Sequence, residues 1–543
     1  MVDHIAATGE LPVQVPGVIT PYRQEGSQPP LYYLISAVLI APIDRSDLDA
    51  LRQPNPHAKA GIPGALDNKN LVLHATPHPP IERTALAVYL LRGFSILLGC
   101  VTIVAVYGAA RQLGPPSLAL LAAGLTAFNP MFIFIAASVN NDNLVTALNS
   151  LIIWQMLLML RDGFTTRRSI LIAVLIALAT LSKLSGLVLV PVVALAALWI
   201  ARRDRSLRGL IILGVLMAGI WALGAGGWYL RNLTLYGELF GTATMVAVAG
   251  PRLEPFGLAT LLSEFEGFRI AYWGLFGAVN LMTVEIFYRI MDALTLLALI
   301  GLLVYVWRQR ADQAQVVRVG LLGLTLLIGF ASVIAWTAQT YASQGRLLFP
   351  FVAATSPLLA LGVLQLSPAR QMVARVGVGS LGAFSLIVPF ATIAPPYAPP
   401  PPRALLPETA NPVYARFGDV ALIGYTIPER RYEPGAMVPV TVYWQVIERS
   451  ERDLSLYLHA ISGGADEIGK IDSFPGGGRL RTSTWTPGAI YADHYAIPLD
   501  SDATGRSRLR VQVGWWHFPT EALIPAVDAQ GGPLVGQSHM KPQ

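Results

Sequence analysis

The chain has 543 residues, of which 53% are hydrophobic and only 13% charged, with a formal net charge of +6. That balance excludes an ordinary soluble globular protein and marks an integral membrane protein. The positive charge comes from arginines gathered in short loops between apolar segments, so it needs no nucleic-acid partner. The single cysteine, Cys100, lies in an apolar segment, which rules out an intrachain disulfide.

In chain order, the first feature is SQPPLYYL (27–34), where two prolines precede the apolar run LYYLISAVLIAPI. This run is too short to span a bilayer. It is predicted to form an interfacial helix on the outer membrane surface, with Tyr32 and Tyr33 at headgroup level.

Apolar runs near spanning length then follow at about 84–110, 118–138, 143–160, 209–229, 288–307, 319–337, 347–366 and 376–394. A further stretch, 169–201, is interrupted by Ser182-Lys183-Leu184-Ser185-Gly186. The loops RDGFTTRRS (161–169) and ARRDRSLRG (201–209) are both rich in arginine, which places both in the cytoplasm. The stretch between them therefore crosses an even number of times, as two short helices with Lys183 at the hairpin tip. The same rule puts WRQRADQAQVVR (307–318) and SPARQMVAR (367–375) inside, giving about ten crossings with both termini outside. Residues 1–83, the turn Asn140-Asn141-Asp142-Asn143, the loop from Arg231 to about 287, Gln344-Gly345-Arg346 and the C-terminus then share the outer face.

Beyond 394, APPYAPPPPR (394–403) reads as a stiff polyproline linker. Alternating runs such as VPVTVYWQV and RLRVQVGWW, broken by SFPGGGR and DSDATGR, predict an antiparallel β-sandwich over 404–543. The fold class is thus a polytopic α-helical membrane protein with a C-terminal soluble all-β sandwich domain. The expected domains are an outer first loop with its surface helix (1–83), a transmembrane domain (84–394), a linker (395–403) and the outer sandwich (404–543). The strand aromatics have two readings, core residues or a platform for sugar rings, of which core is the commoner.

An acid as close to the membrane as Asp142 is costly unless solvated or paired. On this stretch alone, with Asn140, Asn141 and Asn143 around it, an ordinary polar turn is the plainer reading. Arg92, Lys183, Arg231 and Arg346 all fall near the outer boundary, where each by itself could snorkel to the interface. Four such cations facing an outer acid point to a pocket for a phosphate-bearing lipid headgroup. His4, His57, His74 and His78 lie in loops without ligand spacing and there is no HExxH, so no metal ligand is assigned. A divalent metal stays open as a cofactor. Asn232-Leu233-Thr234 has the form of a glycosylation sequon, but it abuts the membrane and decides nothing.

The ordered set QPPLYYL, LLRGFSILLG, NPMFIFIAASVNNDNLV, LATLSKLSGLVLVP, WYLRNLTLYGELFG and QGRLLFP resembles the polytopic GT-C glycosyltransferases. The likeness spans about residues 1–394. It is nearest the bacterial branch related to glycosyltransferase family 39, the protein mannosyltransferases and aminoarabinose transferases, and the membrane proteins called DUF2142. The resemblance implies sugar transfer from a polyprenyl-phosphate donor to a glycan, lipid or protein acceptor on the non-cytoplasmic face of the cell membrane. It makes the helix after Pro-Pro-Leu a jaw beside the donor lipid, anchored by Tyr32 and Tyr33. It matches Asp142 to the acid of the second outer loop, and it sets Lys183, Arg231 and Arg346 on the lipid phosphate. Such chemistry needs a carboxylate base at the acceptor hydroxyl and positive charge at the departing phosphate.

One departure stands out. The family carries a membrane helix and an Asp-Glu pair before the segment that resembles MVDHIAATGELP, and here only Asp3 and His4 lie nearby. The expectation is that the true start lies upstream. The competing class is a non-catalytic polyprenyl-lipid-binding protein or transporter of cell-envelope glycan assembly. Transporters commonly repeat broken spans in both halves, and the interruption at Lys183 has no convincing counterpart.

Overall fold

The computed structural model describes residues 1–74, 80–462, 466–502, 509–534 and 538–540. They form two compact units. A helical unit comprises Met1–Arg45, Ile81–Leu275 and Thr283–Val388, and a β-rich unit comprises Ser46–Pro80, Phe276–Met282 and Pro389–Gln543.

The helices in chain order are α1 (Val2–Thr8), α2 (Leu31–Ile40), α3 (Leu48–Leu51), α4 (Arg83–Ala110), α5 (Pro116–Ala127), α6 (Pro130–Ala136), α7 (Asp142–Asp162), α8 (Thr166–Ser182) and α9 (Leu189–Arg203). They continue with α10 (Arg208–Gly224), α11 (Gly226–Tyr236), α12 (Thr242–Ala249), α13 (Leu258–Trp273), α14 (Glu285–Arg308), α15 (Gln313–Thr337), α16 (Val352–Gln365) and α17 (Arg370–Val388). All lie in the helical unit except α3. Seven helical stretches among the described residues are long and apolar enough to cross a membrane. Two more of the expected spans are bent pairs, α5–α6 at 62° and α10–α11 at 54°. The remaining one, α8, is a single 17-residue helix. This is a multi-pass membrane protein.

The first bend has a local cause. Pro130 opens α6, and the Asn129 side chain ahead of it accepts from the N–H groups of Met131 and Phe132, so α6 starts afresh with its own cap. The interruption at 183 is equally built in. Lys183 is extended (φ −164°, ψ 151°) between α8 and a 3-10 turn, Leu184–Val188. That turn packs so closely on α8 that a Cβ at Gly186 would come within 2.6 Å of the Ala179 backbone. Only glycine fits there, and the contact fixes the place where Lys183 leaves the helix.

The jaw helix departs from expectation. Tyr32 and Tyr33 do not face headgroups: they are 0% and 7% exposed, and α2 turns Leu34, Val38 and Leu39 outward instead. A buried phenol needs a hydrogen-bond partner, and both find one within the protein. The Tyr32 hydroxyl pairs with Ser95 Oγ of α4 at 2.8 Å and accepts from the Asn140 N–H. Tyr33 donates to Glu25 Oε2 at 2.5 Å. Tyr32 bolts α2 to the first long span and to the 140–143 turn, and Tyr33 ties it to the short turn Arg23–Ser27.

In the part of the β-rich unit that follows residue 394, the described strands are β1 (Asn411–Phe417), β2 (Val420–Thr426), β3 (Met437–Val446), β4 (Ser455–Ile461), β5 (Glu467–Ser473), β6 (Ile490–Pro498), β7 (Arg510–His517), β8 (Ala522–Ile524), β9 (Ala526–Val527) and β10 (Ser538–Met540). One sheet has the order β6-β3-β2-β1-β9, and the other β8-β7-β4-β5 with β10 on β7. All the described pairings are antiparallel. Trp444, Trp485 and Trp515 are among the largest fully buried side chains, so these aromatics are core.

The unit is not confined to residues after 394. Residues 46–80, expected to belong with the jaw helix, join it, because a cluster of three asparagines is tied to the end of β5 and the loop after it. Asn68 donates to Ser473 Oγ and Asn70 to the Gly478 carbonyl, while Asn55 donates to Asn68 and Asn70.

Candidate active-site cleft

Each residue of the 140–143 turn has a distinct partner. The Asn140 side chain accepts from the Asp142 N–H at 2.9 Å. Asn141 donates to Gln28 Oε1 at 2.6 Å and to the Ser182 carbonyl at 3.4 Å. Asn143 donates to the carbonyls of Ile135 and Ser138, where α6 ends. Asn141 and Asn143 thereby tie the turn to the SQPP segment, to the end of α8 and to α6, while Asn140 braces the turn itself. Asp142 is left at the first position of α7, where the positive end of the helix dipole favours a carboxylate.

That carboxylate meets the interrupted hairpin. Lys183 Nζ donates to Asp142 Oδ1 at 2.5 Å, and the two side chains are 25% and 7% exposed. Both open onto a cleft of about 330 Å³. Gln28, Ser185 and Gln339 add polar groups to its lining, and Phe240, Met245 and Trp336 add apolar ones. Among the described residues, Asp142 is the one acid of this lining and Lys183 the one base. Arg346 does not line the cleft, although it acts electrostatically on Asp142, and its Nε donates to Gln344 Oε1 at 2.7 Å.

The other expected cations are engaged elsewhere. Arg92 Nε donates to the Ala137 carbonyl at 2.7 Å, closing the C-terminal end of α6. Arg231 lies over the Trp228 ring and donates to the carbonyls of Leu11 and Pro12. Neither lines the cleft. Asp3 pairs with Arg45 at 2.7 Å, and His4 packs edge-on against Tyr22. His57 shares a hydrogen bond with Ser455 Oγ in the β-rich unit, and His78 lies outside the described residues. No group of three or more His, Cys, Asp or Glu side chains able to hold a metal occurs among the described residues.

Sequence reasoning passed over Gln28, Ser185, Gln339 and the apolar wall. Gln28 was legible in principle, as the polar residue immediately before the Pro-Pro break. Phe240, Met245 and Trp336 carry no signal of their own, since nothing in a sequence says which apolar residues of a membrane protein face a cavity.

Among solved structures, the chain is similar to ArnT from Cupriavidus metallidurans bound to undecaprenyl phosphate, at 14% identity and a TM-score of 0.41, over 71% of this chain and 58% of that one. It is also similar to the Archaeoglobus fulgidus oligosaccharyltransferase AglB in complex with an inhibitory peptide and a dolichol-phosphate, at 14% identity and a TM-score of 0.36, over 73% of this chain and 50% of that one. The chain therefore spans 58% of the length of the first of these proteins and 50% of the second. No curated protein matches it. Residues 85–226, which contain both Asp142 and Lys183, match the family model described as dolichyl-phosphate-mannose-protein mannosyltransferase.

Proposed function

We propose that the protein transfers a sugar from a polyprenyl-phosphate donor to a glycan, lipid or protein acceptor on the non-cytoplasmic face of the membrane. The observation that carries this reading is the Asp142–Lys183 pair, set at a cleft whose remaining wall is largely apolar. An ammonium beside an apolar surface suits an amphiphile with a phosphate at one end of a hydrocarbon chain. Lys183 would hold the phosphate and stabilise the charge left on it as the sugar departs, with Arg346 adding positive potential from the next shell. Asn140 and Asn141 act through the backbone they fix, and Tyr32 and Tyr33 hold the jaw helix in place. Arg92 and Arg231 have no part in this proposal.

Asp142 cannot serve Lys183 as counter-ion and take an acceptor proton at the same moment. When the donor phosphate engages Lys183, the carboxylate is released, and it can then orient or deprotonate the acceptor hydroxyl. The test is transfer from a panel of polyprenyl-phosphate sugars in membranes, with and without divalent metal. Asp142→Asn should lower turnover about 100-fold or more while donor binding persists. Undiminished transfer by Asp142→Asn would remove this acid from the chemistry.

One observation favours a second reading, that the cleft binds the lipid phosphate without transferring anything: its lining holds a single carboxylate, already paired with a lysine. Donor binding with no transfer from any sugar lipid would support that alternative.

A further inference from the structure

The helical unit holds a second polar cavity, at the opposite end of its spans from the Asp142 cleft. Helix α15 measures the separation: Gln315 lines this cavity and Trp336 the cleft, about 30 Å apart at 1.5 Å of rise per residue. The cavity has a volume of about 340 Å³. Tyr305 and Gln309 from the end of α14, Asp312 and Gln315 from the start of α15, and Arg370 from the start of α17 supply its polar lining. In a membrane protein such ends lie at headgroup depth.

Its chemistry is unbalanced. Asp312 and Arg370 line the cavity, and Arg318 lies behind that lining, one turn beyond Gln315 on the same face of α15, so two guanidinium groups and a single carboxylate stand at this end of the unit. The carboxylate is partly committed, since Asp312 caps α15 by accepting from the Gln315 N–H. Arg318 uses Nη1 on the Gln112 carbonyl at 3.3 Å, but its Nε is buried without a partner. Gln315 Oε1 is likewise buried with no partner. Arg370 forms no ion pair among the described residues. Of these two atoms without a partner among the described residues, Gln315 Oε1 belongs to the lining, and its desolvation penalty is one that a donor on a ligand would remove.

The excess of guanidinium at this end calls for an anion, and a guanidinium matches phosphate oxygens best. The orphaned acceptor at Gln315 and the nearby Asp312 carboxylate call for hydroxyl donors on the same ligand, which a bare phosphodiester lacks. A choline headgroup brings a second cation and no hydroxyl, whereas a glycerol phosphodiester brings one negative charge and two hydroxyls. We propose that this cavity binds the headgroup of a phosphatidylglycerol-type lipid, in the leaflet opposite the Asp142 cleft, with the phosphate on Arg370, Arg318 adding positive charge from behind the lining, and the glycerol hydroxyls on Gln315 and Asp312. The site is independent of the sugar-lipid reading.

The test offers the full chain, in detergent, an equimolar mixture of phosphatidylglycerol and phosphatidylcholine, and weighs the lipids that remain bound by native mass spectrometry. Phosphatidylglycerol should be enriched about tenfold, and Arg370→Gln should abolish the enrichment. Gln315→Leu, which removes the acceptor without touching charge, should reduce it several-fold and decides the matter if the arginine variant fails to fold. Excess polyprenyl phosphate should leave the enrichment unchanged, whereas its disappearance would assign the bound lipid to the cleft and overturn the proposal. Equal retention of both lipids, or enrichment surviving both variants, would also overturn it. Displacement by free glycerol 3-phosphate as effectively as by the lipid would make the ligand a soluble phosphate ester and refute a lipid site.

Discussion

Two buried aspartates, one in each unit, show how differently a carboxylate can be accommodated. Asp142 is 5% exposed, pairs with Lys183 and borders an open cleft. Asp493 of β6 is 1% exposed, and its direct partners are neutral: the Gly476 N–H, at 3.0 Å to each oxygen, and the Tyr495 hydroxyl at 2.5 Å. The first arrangement keeps both charges beside space that a ligand can enter. The second seals the acid beneath a glycine turn, where burial pushes its carboxyl up to about 7. A charged pair at a cleft is placed to meet a ligand, whereas an acid held by neutral partners under a closed loop is placed to serve the fold.

Stripping each acid of its support should separate the two arrangements. Lys183→Met leaves Asp142 buried and uncompensated, and should cost about 3–5 kcal/mol in thermal or denaturant unfolding of the full chain. Adding Asp142→Asn should recover most of that loss, because the double variant has no orphaned charge. If the double variant is as unstable as the single one, the pair is not the source of the effect.

Asp493→Ala should cost less, about 2 kcal/mol, by orphaning the Gly476 N–H and the Tyr495 hydroxyl. Its pH signature separates the two acids further. A folded carboxyl near 7 against an unfolded value of about 4 means that the folded state binds the extra proton between those limits. The stability of the β-rich unit should therefore be greatest below pH ~4 and fall as pH rises through ~7. Asp493→Asn should flatten that slope in hydrogen-exchange measurements on β6, and an unchanged slope would assign it to another group.

Gly478→Ala probes the sealed side through its roof. The residue has φ +93°, and a Cβ there would lie 2.4 Å from Asn70 Oδ1 and 2.8 Å from Asn55 Nδ2. A loss of about 1–3 kcal/mol is expected, with faster proteolysis within 46–74 as those asparagines lose their loop. Intact protection there would show that the segment is held by something else. The smallest effect should come from Tyr33→Phe, which removes one hydrogen bond to Glu25 and should cost about 1 kcal/mol while leaving the cleft intact.

The spans were legible because little besides a membrane helix requires an apolar run of bilayer length, and the arginine loops set their order. The interruption at Lys183 was legible for the same reason, since SKLSG breaks an apolar stretch that must turn back. Asp142 and Lys183 could be named singly, but their contact depends on α7 and α8 lying side by side, which no local pattern encodes. Tyr32 and Tyr33 were misread because aromatic residues at a membrane boundary look alike whether they face lipid or protein. What decides between the two is Ser95 and Asn140, 63 and 108 residues away in the chain. Arg92 and Arg231 misled similarly: a boundary arginine that seals a helix end or binds loop carbonyls has the same sequence signature as one that binds phosphate. The three asparagines drawing 46–74 into the β-rich unit gave no warning, because isolated asparagines in a loop read only as turn formers.

If Lys183 holds a lipid phosphate in competition with Asp142, the charge on the ligand must matter and the lysine must be what reads it. The decisive measurement compares the affinity of the full chain for undecaprenyl phosphate and for the uncharged alcohol undecaprenol, in wild type, Lys183→Met and Asp142→Asn. The phosphate should bind at least about tenfold more tightly than the alcohol in wild type, and Lys183→Met should erase the difference. Asp142→Asn, which frees the ammonium from its internal partner, should preserve or widen it. Equal affinity for phosphate and alcohol in wild type, or a preference that survives Lys183→Met, would show that Lys183 does not hold the phosphate.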